Sequence, residues 1–343
     1  MSNPNLRPLA PAYNRLDPGF RPAAGPNMSP AWNYSHLPIP QLKIVDVNTQ
    51  YNGSMFFCHE MVVCIDNEHF FICEIYRQMG NGFNPCTVNL QQVDMRPRGP
   101  DLIPQAFTAF AIGYFKVLPN EVFSHPVIPV QHYQPAFTQG LTIAPFQVHK
   151  YSYMKVPSLS GYNQLRDKTV IQKSVTDEAI IGEVLIQNPH PNLAKYWGCV
   201  VLQGRIVSLV YGRYAITLLD RVESRVPINI PKVMQEIRAG ITHLHSLGYA
   251  HNDLNPSNIM MDANDNAVII DFDSCAVEGG ELRKLGTPGW SKNAGAMKVS
   301  ARENDLYGLE KIQEWLNQES GMRDQPSRNS ETWTVKESIQ KKA

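Results

Sequence analysis

Three polar side chains, Asp253, Asn258 and Asp271, stand at a spacing that suits phosphoryl transfer. They lie in the string HNDLNPSNIMMDANDNAVIID at 251–271. A carboxylate at Asp253 can accept the proton of an attacking hydroxyl. An amide at Asn258 can ligate one Mg²⁺, and a second carboxylate at Asp271 can bridge that metal to nucleotide phosphates. His251 with Asp253 alone would be weak evidence, because a loop histidine beside a helix-capping aspartate gives the same triplet. The apolar run at 267–270 strengthens the reading. It predicts a short buried strand that ends at Asp271.

The elements that must hold these residues are visible on both sides. Residues 231–248, PKVMQEIRAGITHLHSLG, place Ile237, Ile241 and Leu244 on one face, open with Pro231 and stop at Gly248, which predicts a helix leading into the loop. Residues 176–188, TDEAIIGEVLIQN, predict a second helix with Glu178, Ile181 and Leu185 on one stripe. Ser152-Tyr153-Met154-Lys155 reads as a short strand, and 200–210 as a hairpin around Gln203-Gly204.

These strings resemble the eukaryotic protein-kinase superfamily, and most closely the short, divergent kinase-like proteins of filamentous fungi. Those carry strings similar to PHPNL, LHSLGYAHNDLNPSNIM, IIDFDSC, GTPGW and ENDLYGLEKI, all present here. The resemblance covers residues 150–318, about half the chain. It implies an α+β, two-lobed protein-kinase-like fold with a β-rich N-lobe and a truncated helical C-lobe. It also implies ATP and Mg²⁺ as cofactors, Asp253 and Asn255 as catalytic residues, and Asn258 and Asp271 as metal ligands. Lys155 sits where the family shows a phosphate-binding lysine, with Lys173 as the rival. Glu178, or alternatively Glu183, would pair with it. Adenine would bind around Val210, Tyr211 and Tyr214, Gly286-Thr287-Pro288-Gly289-Trp290 would end the activation segment, and Asp305 would hold the catalytic-loop backbone.

The departures from the family are specific. No GxGxxG precedes Lys155, since the stretch FTQGLTIAPFQV at 137–148 has only Gly140, so phosphate-cradling amides must come from elsewhere. Asn252 replaces the Arg that reads a phosphorylated activation segment. Asn255 stands where many protein kinases have Lys. That substitution removes a charge of order ~2–4 kcal/mol at the developing phosphoryl group if nothing compensates. Asp273 replaces a Gly, and its carboxylate could touch metal or face solvent. After Leu316 only 27 residues follow, too few for the remaining helices of a full C-lobe.

Three classes of function are compatible with these residues. One is a protein Ser/Thr kinase, supported by GTPGW and the Asp305 helix. Another is a small-molecule phosphotransferase of the aminoglycoside or choline kinase type, supported by Asn252, Asn255 and Pro256. The last is a binding module without catalysis, supported by the missing Gly-rich loop and opposed by the retention of Asp253, Asn258 and Asp271.

Composition bounds the rest. The chain has 343 residues, 43% of them hydrophobic, with 31 basic and 31 acidic side chains, which gives no polyanion-binding signature and predicts neither nucleic-acid nor membrane partners. No apolar run is long enough for a span and no signal-peptide core is visible, so the expectation is a cytoplasmic or nuclear protein. The partners expected are a nucleotide and an unidentified protein or small-molecule hydroxyl acceptor. Cys58, Cys64, Cys73, Cys86, Cys199 and Cys275 form no CxxC pair and read as reduced thiols, with a zinc site from the first four as the alternative.

Along the chain, residues 1–40 carry nine prolines and predict a disordered arm. Residues 41–135 predict a β-rich accessory region, with a hairpin around Asp66-Asn67-Glu68 and Glu74 at what could be a relic of the lysine position. Residues 136–320 form the expected kinase-like domain, and 321–343 a tail. Arg96, Arg98 and Lys116 are scattered and are assigned to solvent.

Overall fold

The computed structural model describes residues 41–323 apart from 53, 66–68, 81–84, 89, 91–101, 146–151, 285 and 293–297. The expected arm, the tail beyond 323, the hairpin turn at 66–68 and both Arg96 and Arg98 lie outside the described residues. The chain divides into two compact units. The first runs to Tyr133 and takes in Ser158–Ile171; the second comprises Gln134–Pro157 and resumes at Gln172.

In the first unit, β1 (Leu42–Asn52), β2 (Met55–Ile65), β3 (His69–Ile75) and β4 (Val122–Ser124) form an antiparallel sheet in the order β1-β2-β3-β4. Helix α1 (Leu102–Phe115) lies within the stretch predicted to be β-rich. Its Ile103, Phe107 and Ala111 pack on one sheet face with Met61, Val63, Phe71 and Cys73, and Phe107 meets the Phe71 ring edge-on at 5.5 Å. The opposite face, with Val62, Cys64 and Ile72, is covered by Ile128, Tyr133, Leu159 and Tyr162. Both faces being covered explains the unbroken apolar run at 61–65 in β2, because each of those residues is buried whichever way it points. Cys64 and Cys73 belong to opposite faces and cannot converge on one ion.

Two glutamates oppose each other across β2 and β3, Glu60 and Glu74. Both are buried. Glu60 accepts from the Gly161 amide at 2.6 Å, and burial pushes its carboxyl up. For Glu74, burial also raises the carboxyl, but His125, Tyr76 (2.6 Å) and Asn163 (3.1 Å) outweigh it and hold the group at about 2. Glu74 is thus a satisfied acid of this sheet. A carboxyl lowered in the folded state contributes stability above its unfolded value, near ~4.3, which is lost as pH falls toward 2. Urea unfolding of the parent should therefore lose roughly 2–3 kcal/mol more than Glu74→Gln between pH 5 and pH 2. Parallel pH profiles for the two proteins would refute this assignment.

The second unit opens with a small sheet of β5 (Ser152–Lys155), β6 (Tyr196–Leu202) and β7 (Arg205–Gly212), ordered β5-β7-β6, with helix α2 (Val170–Gln187). Helix α2 starts six residues before the predicted position. Residues 170–173, which include the rival Lys173, form its first turn. Val175, Glu178, Ala179, Ile181 and Leu185 face inward. Gly182 permits close approach to β6, since a Cβ there would lie 2.3 Å from the Tyr196 ring.

The remaining elements are mostly helical: β8 (Ile216–Thr217), α3 (Leu218–Glu223), α4 (Ile230–Ser246), β9 (Tyr249–Ala250), β10 (Ile259–Met261), β11 (Ala267–Ile269), β12 (Ala276–Val277) and α5 (Arg302–Arg323). Helix α4 begins where the Asn229 side chain caps the Lys232 amide at 3.1 Å, with Pro231 in its first turn, and it stops before Gly248 at φ +84°. Its Val233, Ile237, Ile241 and Leu244 pack in one core with Leu309, Ile312 and Leu316 of α5. This α+β arrangement, a small sheet with one helix followed by a helical portion, agrees with the α+β fold expected for this region. No helix among the described residues is long and apolar enough to cross a membrane.

Candidate active site

The loop 251–258 is built by hydrogen bonds from below. Asp305, fully buried at the start of α5, accepts the His251 amide at 2.8 Å, the Asn252 amide at 2.7 Å and His245 Nε2 at 2.7 Å. Asn252 takes φ +64°, which asparagine tolerates better than most residues. Its side chain donates to Ala250 O, Ser274 O and Ser300 Oγ and accepts from Ala301 and Asn304. The residue in place of the family arginine therefore ties the loop to its neighbours instead of awaiting a phosphate.

Asn255 caps the short 3₁₀ turn Pro256–Asn258 by accepting the Ser257 amide at 2.9 Å. Its amide group donates to Asp253 O at 3.1 Å, Asp253 Oδ1 at 3.2 Å and Thr287 Oγ1 at 3.3 Å. Asn258 donates to Asp253 O at 2.9 Å and Oδ2 at 3.2 Å, which leaves its Oδ1 as an acceptor. The Thr287 amide also donates to Asp253 Oδ1, at 2.7 Å. Asp253 is thus oriented from three directions. The string GTPGW suggested an activation-segment end, but nothing in the sequence signalled this amide.

Strand pairing brings Asp271 beside Asn258. Ile259 pairs with Ile269 across β10 and β11, and the Ile270 amide donates to Asn258 O at 2.9 Å. Asp271 then sits at φ +65°, a conformation costing a non-glycine residue of order 1 kcal/mol that an active site can repay. Phe272 is fully buried against the rings of Tyr211 and His251.

Lys155 ends β5 and joins two carboxylates. Its Nζ lies 2.8 and 2.7 Å from the two Glu178 oxygens and donates to Asp271 Oδ1 in a short bond, with Asp273 Oδ2 at 3.8 Å. Burial works against the ammonium's charge, but Glu178, Asp271 and Asp273 outweigh it and push the group upward. Burial raises Glu178 while Lys155 pulls it back. At Asp271 burial is outweighed by Lys155 and Lys284, which hold the carboxyl down at about 2. The rival Glu183 is spent elsewhere, accepting from the Thr142 amide at 2.7 Å and its hydroxyl at 2.8 Å. Lys173 is an exposed residue of α2.

The residues named for adenine take different surroundings. Val210 is fully buried in the sheet. Tyr211 points its hydroxyl at Glu178 Oε1, 3.0 Å away, and so holds the glutamate. The Tyr214 hydroxyl accepts the Lys195 amide at 3.0 Å. Period-2 patterning located the strand but not which face each ring takes. Asp273, which could have touched metal or faced solvent, pairs with Lys284 at 2.7 and 2.8 Å. Lys284 was not singled out by its sequence context.

The donor set suits a hard cation. Asp271 and Asn258 offer oxygens, and among the described residues there is no cluster of three or more His, Cys, Asp or Glu fit to hold a metal. An ion here would depend on phosphate oxygens for the rest of its shell, as Mg²⁺ commonly does.

Residues 159–292 match the protein kinase domain family. The serine/threonine-protein kinase CST20 of Candida albicans (strain WO-1) is 28% identical over 128 residues, 35% of this chain and 10% of that protein. The probable serine/threonine-protein kinase samkC of Dictyostelium discoideum is 31% identical over 111 residues, 31% of this chain and 13% of that protein. The crystal structure of the yeast RNA Pol II CTD kinase CTDK-1 complex is matched over 40% of this chain and 48% of that chain, with TM-score 0.36 and 18% identity. The chain spans only 10% and 13% of the two curated relatives. Over residues 159–292, about two fifths of its length, the chain is similar to protein kinase domains.

Proposed function

We propose that the chain is an ATP- and Mg²⁺-dependent kinase that moves the terminal phosphoryl group of ATP to a hydroxyl, with protein Ser/Thr as the acceptor. The observation that carries this reading is Lys155 joined at once to Glu178 and Asp271, an arrangement that would suit a cation for phosphate beside a carboxylate for metal. The names of the relatives, all serine/threonine-protein kinases, support the choice of acceptor.

A divalent cation held by Asp271 and Asn258 would neutralise phosphate charge. Lys155, freed from Asp271, would bind phosphate oxygens while Glu178 and Tyr211 keep it in place. Asp253 would orient the acceptor hydroxyl and take its proton. The bond from the terminal phosphorus to the bridging oxygen breaks, its electron pair leaves with ADP, and the acceptor oxygen forms the new bond.

The test is turnover of labelled ATP with Mg²⁺ against a generic protein, an aminoglycoside and choline. Transfer to protein is expected, and Asp253→Asn should keep Mg·ATP binding while losing roughly 10²–10⁴-fold in rate. Transfer only to a small molecule would replace the acceptor. Absence of both binding and transfer in the parent would sink the kinase reading.

A further inference from the structure

Lys284 occupies a place that the catalytic loop leaves open. The loop 251–258 contains no Lys or Arg, and the amide of Asn255 is already spent on Asp253 and Thr287. Phosphoryl transfer nevertheless spreads negative charge over the oxygens in flight, and a fixed cation near them lowers the barrier. Lys155 alone faces three carboxylates, Glu178, Asp271 and Asp273.

Lys284 Nζ lies 2.7 Å from Asp273 and 3.9 Å from the free oxygen of Asp271. The backbone around it is anchored on both sides. Arg283 Nε binds Asp177 Oδ2 of α2 at 2.6 Å. Three residues after Lys284, the Thr287 amide binds Asp253 Oδ1 at 2.7 Å. Gly286 fits against the loop so closely that a Cβ there would lie 2.7 Å from Asn252 O and 1.9 Å from Ser291 Oγ. Lys284 thus reaches toward the metal carboxylate, while the Thr287 amide, three positions on, binds the proton acceptor. In the kinase reading the transferring group lies between those two carboxylates.

We propose that Lys284 is a catalytic residue that binds the terminal phosphoryl group of the nucleotide, with Asp273 as its tether, replacing the charge absent at Asn255. The assignment rests on the kinase reading above. Its side chain is 45% exposed, so it can leave Asp273 for a phosphate without breaking a core. In the transfer, the bond between the terminal phosphorus and the bridging oxygen breaks, and ADP keeps the electron pair. The acceptor oxygen bonds to phosphorus, its proton passes to Asp253, and Lys284 balances the charge on the transferring oxygens.

The full chain is titrated with Mg·ATP and with Mg·ADP, each followed by calorimetry, in the parent, Lys284→Ala, Lys284→Arg and the double variant Lys284→Ala/Asn255→Lys. Lys284→Ala should weaken ATP roughly tenfold or more and leave ADP within about twofold. Lys284→Arg should keep the parental ATP-to-ADP ratio, and the double variant should recover much of it. A role confined to neutralising Asp273 would move both nucleotides together, and that result, or no change in either, overturns the proposal. If the parent binds ADP and ATP but the ratio ignores Lys284, only this assignment falls. If the parent binds neither, the kinase reading falls and takes this assignment with it.

Discussion

Asp305→Ala is expected to destabilise the second unit by about 3–5 kcal/mol and to abolish nucleotide binding with it. The carboxylate is fully buried and receives three donors, the amides of His251 and Asn252 and the ring of His245. Truncation leaves all three without acceptors in a place that water reaches poorly, each at a cost of roughly 1–3 kcal/mol, partly offset by removal of a buried charge. The effect concentrates on the loop because Asn252 holds φ +64° only while its neighbours fix it. Asp305→Asn keeps one acceptor and should lose less. Urea unfolding at neutral pH measures both, and a loss below about 1 kcal/mol for the alanine variant would show that the loop does not depend on this carboxylate.

Asp271→Asn should have the largest effect on ligand binding with little effect on the fold. Asparagine tolerates φ +65°, whereas alanine there would add strain of about 1 kcal/mol, so the asparagine variant separates chemistry from backbone. The substitution removes the charge that holds Lys155 from one side, and it takes away one of the three side-chain oxygens that Asp271 and Asn258 offer a cation. Mg·ATP at 100 times its dissociation constant stabilises a folded protein by about 2.7 kcal/mol. That stabilisation should be present in the parent and nearly vanish in the variant, while ATP without Mg²⁺ should stabilise the two alike. Equal stabilisation of both proteins by Mg·ATP would remove Asp271 from the metal site. Since the carboxyl is held down at about 2, its charge and this contrast should persist across the range from pH 5 to 8.

Much of the frame was legible because local pattern and tertiary burial agree. The stripe of Ile237, Ile241 and Leu244 marks α4, and its proline and glycine mark the ends. The run 267–270 delivers Asp271 because a short apolar strand flanked by polar turns has one stable place, inside a sheet. The start of α2 was misread because Val170 and Ile171 favour strands locally, and only packing of Val175, Glu178 and Leu185 decides for helix. Helix α1 was missed in a stretch where apolar residues serve a helix face and a sheet face alike.

The sequence by itself determined the reactive residue types, their order and the short elements that carry them. These depend on spacing along the chain and on side-chain chemistry that no fold can alter. Only the tertiary structure decided that Tyr211 holds Glu178, that Glu183 serves Thr142 and that Lys284 reaches Asp273. Each of those contacts joins residues 11 to 41 positions apart. Contacts at such separations leave no periodic trace, because they depend on where strands and helices close on one another and not on any local pattern.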